Sequence, residues 1–172
     1  MKFTKIKYNP KEPKVTIRWE ESRKGGAETL RHGIDSKDRP EPAFIDALEA
    51  FIPEVCRLLD LPADYGKGMA VRGVSINHEE DLRRGLVITL LKGLLDANAP
   101  LIINTPHLRE SDGEDSGVFA SAAMIKRLDN LERMAQRYID GHREQSDLFL
   151  GGSDLADEVA GALSDAGVLE PA

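Results

Sequence analysis

The hexapeptide Leu86-Val87-Ile88-Thr89-Leu90-Leu91 constrains the fold more than any other stretch of the chain. It is apolar toward both faces of an extended backbone, so it belongs inside a sheet and is expected to be covered twice. A buried helix is the competing reading of so short a run; Gly85 and Gly93 at its borders favour the strand. Two further apolar runs, 71–76 and 101–104, frame it, and the stretch 96–100 between the last two has turn chemistry.

Upstream, residues 2–8 form a short first strand ended by Asn9-Pro10 and Pro13. Val15, Ile17 and Trp19 alternate with Thr16, Arg18 and Glu20, the period of a half-buried strand. Beyond a turn at Gly25-Gly26, Leu30, His32 and Ile34 alternate with Thr29 and Arg31, which completes an amino-terminal hairpin. Pro42 suits the first position of a helix, after which Phe44, Ala47, Leu48, Phe51, Ile52, Val55, Leu58 and Leu59 recur at three- and four-residue steps. Pro53 interrupts that stripe and predicts a kink over 50–53, or two short helices meeting there. An acidic, glycine-containing loop at 109–117 precedes a helix over 118–140, with Ala122, Ile125, Leu128, Leu131, Ala135, Tyr138 and Ile139 on one stripe and Gly141 placed as its C-cap.

This order predicts one α+β domain over residues 1–142, a mostly antiparallel sheet of five to six strands with two covering helices. A flexible acidic tail with a linear motif follows at 143–172. An OB-like barrel is the alternative architecture, because strands, a helix and further strands occur there in a similar order.

No apolar run approaches the ~20 residues that a membrane helix requires. The amino terminus is basic, without the continuous apolar segment of a secretory signal. Cys56 is the single cysteine, which excludes an intramolecular disulfide and fits a reducing, cytoplasmic compartment. The net charge of −7 is uneven, since residues 1–40 hold eleven Lys/Arg against six Asp/Glu while the remainder is strongly acidic. Arg18, Trp19, Arg23 and Lys24 on the basic hairpin are the candidates for contact with single-stranded DNA, Trp19 serving as a stacking platform. A solvated strand edge explains the same lysines without a ligand.

No P-loop, dinucleotide fingerprint, nucleophile elbow or CxxC occurs, and no cofactor or metal is expected. Of the four histidines, His78 and His107 follow strand ends, and with Asn104 they would share a polar cleft if those ends fall on one edge of the sheet. A small histidine-dependent enzyme is the reading this cleft would support; a non-enzymatic role is the one favoured. The tail is more specific. Gln145-Ser146-Asp147-Leu148-Phe149 resembles the bacterial sliding-clamp-binding pentapeptide, in which Leu and Phe enter an apolar pocket while the glutamine amide bonds its rim. Gln145, Asp147, Leu148 and Phe149 are therefore the partner-binding candidates. The competing reading folds Leu148 and Phe149 back on the sheet as an apolar latch.

The phrases AVRGVSI, LVITLLKGLLDANAPLIINTPHL, AFIDALEAFIPEVCRLLDLP and YIDGHREQSDLF together resemble a family of small proteins from tailed phages and prophages, over about residues 19–149. The resemblance implies a product of the host bacterial cytoplasm, expressed with phage DNA-replication or recombination genes, and it assigns no catalytic residue. The expected role is a non-enzymatic accessory protein that docks on the host replication clamp. Single-stranded-DNA binding and sequestration of a host defence component are the rivals.

Overall fold

The computed structural model describes residues 1–23, 28–79, 83–94, 99–110 and 119–144. The chain begins with β1 (Lys2–Asn9), β2 (Lys14–Arg23) and β3 (Glu28–Ser36), then α1 (Pro42–Glu49) and α2 (Ile52–Leu58). After a short turn of 3₁₀ helix come β4 (Met69–His78), β5 (Arg84–Lys92), β6 (Leu101–Asn104), β7 (Leu108–Glu110), β8 (Phe119–Ala120) and α3 (Ala122–Ile139). The sheet runs β3-β2-β1-β4-β5-β7-β8, with β6 beside β7 on the same edge of β5. Every pairing is antiparallel except that of β7 with β8.

The α+β expectation holds, with eight strands in place of five to six. The added ones, β7 and β8, are three and two residues long, too short for any periodicity to register. The barrel alternative is wrong. β3 and β8 end the strand order without pairing to each other, so the sheet stays open.

The break in the first helical segment falls where Pro53 places it. α1 stops at Glu49, Phe51 N–H turns back to Leu48 O at 3.2 Å, and α2 restarts with Pro53 in its first turn, where a missing N–H is harmless. Ser121 caps α3, its Oγ accepting from Met124 N–H at 3.1 Å. At the other end Gly141 takes φ +97°, Gly141 N–H donates to Tyr138 O, and His142 N–H donates to Arg137 O, a Schellman closure. The buried stripe of α3 is Met124, Leu128, Leu131, Met134, Ala135 and Tyr138. Ala122, expected on it, is exposed, because the 3.6-residue spacing from Leu128 runs back through Met124 instead.

All three helices lie on one face of the sheet. Against them pack Ile6, Val15, Ile17, Val74, Leu86, Ile88, Leu90 and Leu108, none of them measurably exposed. Among the described residues the expected double cover of the central strand is not found: Leu86, Ile88 and Leu90 are buried, whereas Val87, Thr89 and Leu91 are half-buried on a face that no helix of the described residues covers. The three buried chains contribute roughly 5–9 kcal/mol of apolar burial, which fixes which face of β5 turns inward.

Contacts of the described residues continue past α3 to Glu144. Arg143 bridges Pro40 and lies over the Tyr138 ring, and Glu144 N–H donates to Arg39 O at 3.0 Å. Residues 145–172, with the pentapeptide, are outside the described residues.

Candidate functional site

The uncovered face is built in rows set by strand register. Asp35, Thr16, Lys7, Gly73, Thr89 and Asn104 lie side by side across six strands. Gly33, Arg18, Lys5, Ser75 and Val87 form the row beside it. Hydrogen bonds run along the first row, from Thr16 Oγ1 to Asp35 Oδ1 at 2.7 Å and from Thr89 Oγ1 to Asn104 Oδ1 at 2.8 Å.

Glycines inside the strands let long polar side chains lie flat. A Cβ on Gly33 would strike the Arg18 side chain, and one on Gly73 would strike the stem of Lys7. Arg18 pairs with Asp35, and that bond, followed by the one from Thr16, holds the Asp35 carboxyl down to about 2. Lys7 is held below the usual lysine range, by burial first and then by repulsion from Lys5 and Arg72. The centre of the face is thus a site of concentrated positive charge.

Toward one end of the face β1 separates from β4. Their pairing covers only Lys5–Lys7 against Gly73–Ser75, and a bulge at Arg72 turns β4 away from Tyr8 and Asn9. The separation opens a cleft of about 160 Å³ lined by Tyr8, Ile45, Leu48, Val71, Leu91 and Arg72, with Glu49 and Pro10 at its sides. Arg72 donates to Asn9 Oδ1 at its mouth. The cleft runs on into a shallower groove bounded by Lys11, Ala70, Leu94 and Pro100, and beyond it Leu101 and Ile102 of β6 stand exposed.

The polar cleft expected from His78, Asn104 and His107 is not formed. Successive residues of a strand face opposite ways, so Asn77 lies on the open face and bonds His107 Nε2 at 2.8 Å, while His78 turns inward and its Nε2 sits 2.8 Å from Phe3 O. Asn104 shares the face with His107, yet its row partner Thr89 is four residues along β5 from Gly85, over which His107 lies, about 13 Å at the usual strand rise. His32 stacks on Trp19 with ring centroids 5.4 Å apart, and His142 is exposed beyond α3. Among the described residues no three His, Cys, Asp or Glu converge on a metal position.

The nucleic-acid candidates are divided as well. Arg18 is on the open face, Trp19 is buried on the core face with only 9% exposure, Arg23 is exposed at the strand end, and Lys24 lies outside the described residues. Trp19 is thus core and no stacking platform; Phe3 is buried too, and Tyr8 lines the cleft. The residues that sequence reasoning passed over are Lys5, Lys7 and Arg72. Their signal was present, in the period-two placing of the two lysines and in the strand-interior Gly33 and Gly73.

The fold is an open, two-layer α+β domain, and no helix of the described residues is long and apolar enough to cross a membrane. No protein family, curated protein or solved structure matches the chain.

Proposed function

We propose that the chain is a non-enzymatic accessory protein of phage or prophage type, working in the host bacterial cytoplasm, that docks on the sliding clamp of DNA replication through Gln145, Asp147, Leu148 and Phe149. The observation that supports this reading is the pentapeptide Gln145-Ser146-Asp147-Leu148-Phe149 itself, placed in the sequence just past the end of α3. Glu144 is tied to Arg39 directly after the Schellman closure of α3, and the pentapeptide starts at the next residue. Burying Leu148 and Phe149 in a partner's pocket contributes roughly 3–6 kcal/mol before the cost of ordering; micromolar binding needs about 8 kcal/mol net, so the Gln145 amide and main-chain hydrogen bonds to the partner supply the rest.

Calorimetric titration of the intact chain into purified bacterial clamp tests the proposal. A micromolar Kd that is lost in Leu148→Ala/Phe149→Ala supports it; absence of binding, or equal binding by the double variant, removes it.

A second reading has its own observation, the placing of Lys5 and Lys7 on the open face near Arg72, where Lys7 is held below the usual lysine range by burial first and then by repulsion from Lys5 and Arg72. On this reading the open face holds a single-stranded nucleic acid by its phosphates, without base stacking on Trp19. Binding of an oligonucleotide that weakens steeply with salt, with a shallower slope in Lys5→Ala/Lys7→Ala, is the expected result; no binding at low salt eliminates it.

A further inference from the structure

Charge is distributed along this chain in a way that the net value conceals. Residues 145–172 contain six Asp/Glu and no Lys or Arg, so residues 1–144 carry 23 Lys/Arg against 24 Asp/Glu. The body is almost neutral and nearly all the excess acid is in the last 28 residues. On the body, Arg72 and Glu49 line the cleft between β1 and β4, and Lys11 lines the groove into which it runs.

The cleft has the size of one particular side chain. Its volume is about 160 Å³ and its walls are Tyr8, Ile45, Leu48, Val71 and Leu91. An apolar cavity of about 150 Å³ accepts benzene, so this one accepts a phenyl ring. It is also close to the point from which the C-terminal segment departs. Glu144 is bonded to Arg39, two residues before α1 is entered at Glu41, and the cleft is walled by Ile45, Leu48 and Glu49 of that same helix. Two extended residues from Arg39 to Glu41 and the helix from there to Leu48 together span at most about 17 Å, and the five residues from Glu144 to Phe149 also reach about 17 Å when extended.

We propose that this cleft is the intramolecular receptor for the chain's own C-terminal segment, with Phe149 in the apolar pocket and the Asp147 carboxylate beside Arg72 and Lys11. The occupant is chosen by three features together: acidic and apolar residues adjacent in one short segment, a pocket of phenyl volume with Arg72 on its wall and Lys11 on the groove beyond, and a tether of matching reach. A short tether supplies an effective concentration on the order of millimolar. A pocket with an intrinsic Kd of only ~0.1 mM would then be about nine-tenths filled. Any outside protein that grips Leu148 and Phe149 competes with the latch, and its apparent affinity falls about tenfold. The latch stands without the clamp reading, although the two share a side chain.

The test is an amide ¹⁵N–¹H spectrum of the intact, isotope-labelled chain, compared with Phe149→Ala. The latch predicts shift changes at Tyr8, Ile45, Leu48, Val71 and Arg72 as well as around position 149. Changes confined to 145–152, or falling on another surface, overturn it. Ala70→Phe fills the groove from the side opposite α1 and is expected to shift the amides of 145–150 in the same sense as Phe149→Ala. A folded Ala70→Phe protein with unmoved tail amides also overturns the latch; if that variant fails to fold, the Phe149→Ala spectrum decides alone. Clamp binding separates the two ideas, for groove shifts without clamp affinity remove only the clamp reading, and clamp affinity without groove shifts removes only the latch.

Discussion

Arg84 joins the helical layer to the sheet, and its replacement by methionine gives a prediction with a worked magnitude. Its guanidinium reaches Asp129 Oδ1 at 2.7 Å, Glu110 Oε2 at 3.2 Å and Glu132 Oε2 at 3.3 Å, tying the start of β5 to β7 and to the middle of α3. The Arg84 side chain is 16% exposed and that of Glu132 21%, while Asp129 is more than half exposed. Removing one partner of a buried ion pair costs about 3–5 kcal/mol, and the open Asp129 contact puts this cluster at the lower end, about 3 kcal/mol. For a domain of this size that is a fall in Tm of roughly 6–12 °C. The pH dependence gives an independent handle. Burial already holds the Glu132 carboxyl above its usual range, with Arg84 pulling the other way. Without Arg84 the group keeps its proton to still higher pH. A carboxyl raised in the folded state loses stability as pH rises through its folded pKa, so the deficit of Arg84→Met is largest at neutral pH and shrinks on acidification. Circular-dichroism melts at pH 7 and pH 5 measure both effects. A Tm within 2 °C of the parent at pH 7, or an equal deficit at both pH values, would refute the reasoning.

Three smaller tests bear on other parts of the account. Ser121→Ala removes the cap of α3 and the hydroxyl that donates to Glu54 Oε2 at 3.3 Å, and is expected to lower stability by about 1 kcal/mol in urea titration, with Ser121→Thr restoring most of it. Gly141→Ala forces a Cβ onto φ +97° and is expected to cost about 1–2 kcal/mol in the same assay. The Asp35 carboxyl is held down to about 2 by Arg18 and Thr16. The sign is that of a depressed acid: its contribution is present above the ordinary aspartate pKa near 3.9 and is lost between about pH 4 and 2. Asp35→Asn should flatten the stability profile in that window and lower stability above pH 5 by a constant amount without changing the slope there, and carbon-detected titration of the Asp35 carboxyl should show a midpoint near 2.

Much of the fold was legible because local chemistry decided it. Pro53 broke the first helix, Gly141 ended the last, and the Val15, Ile17, Trp19 alternation gave the buried face of β2. What stayed hidden depended on distant pairings. Phe3 and Ile6 are three residues apart, as are Val71 and Val74, yet all four face the core, because bulges at Phe3/Lys5 and Val71/Gly73 insert an extra residue. No period-two count anticipates that. The run 86–91 reads alike whether one or two layers cover it, so the open face could not be foreseen from β5 alone. The histidine cleft failed for a simpler reason. His78 and Asn77 are neighbours in β4 and must face opposite ways, and it is Asn77 that meets His107. The groove arises where β1 and β4 part, a feature of neither strand by itself.

The central functional claim is that Leu148 and Phe149 are gripped by the clamp. Its most direct measurement is a competition titration in which the intact chain displaces a fluorescent clamp-binding peptide from purified bacterial clamp. The account predicts displacement at micromolar concentrations by the parent chain, about tenfold stronger displacement by Ala70→Phe, and none by Leu148→Ala/Phe149→Ala. A peptide that stays bound at hundreds of micromolar of the parent and of Ala70→Phe, or that the double variant displaces as well as the parent does, contradicts it.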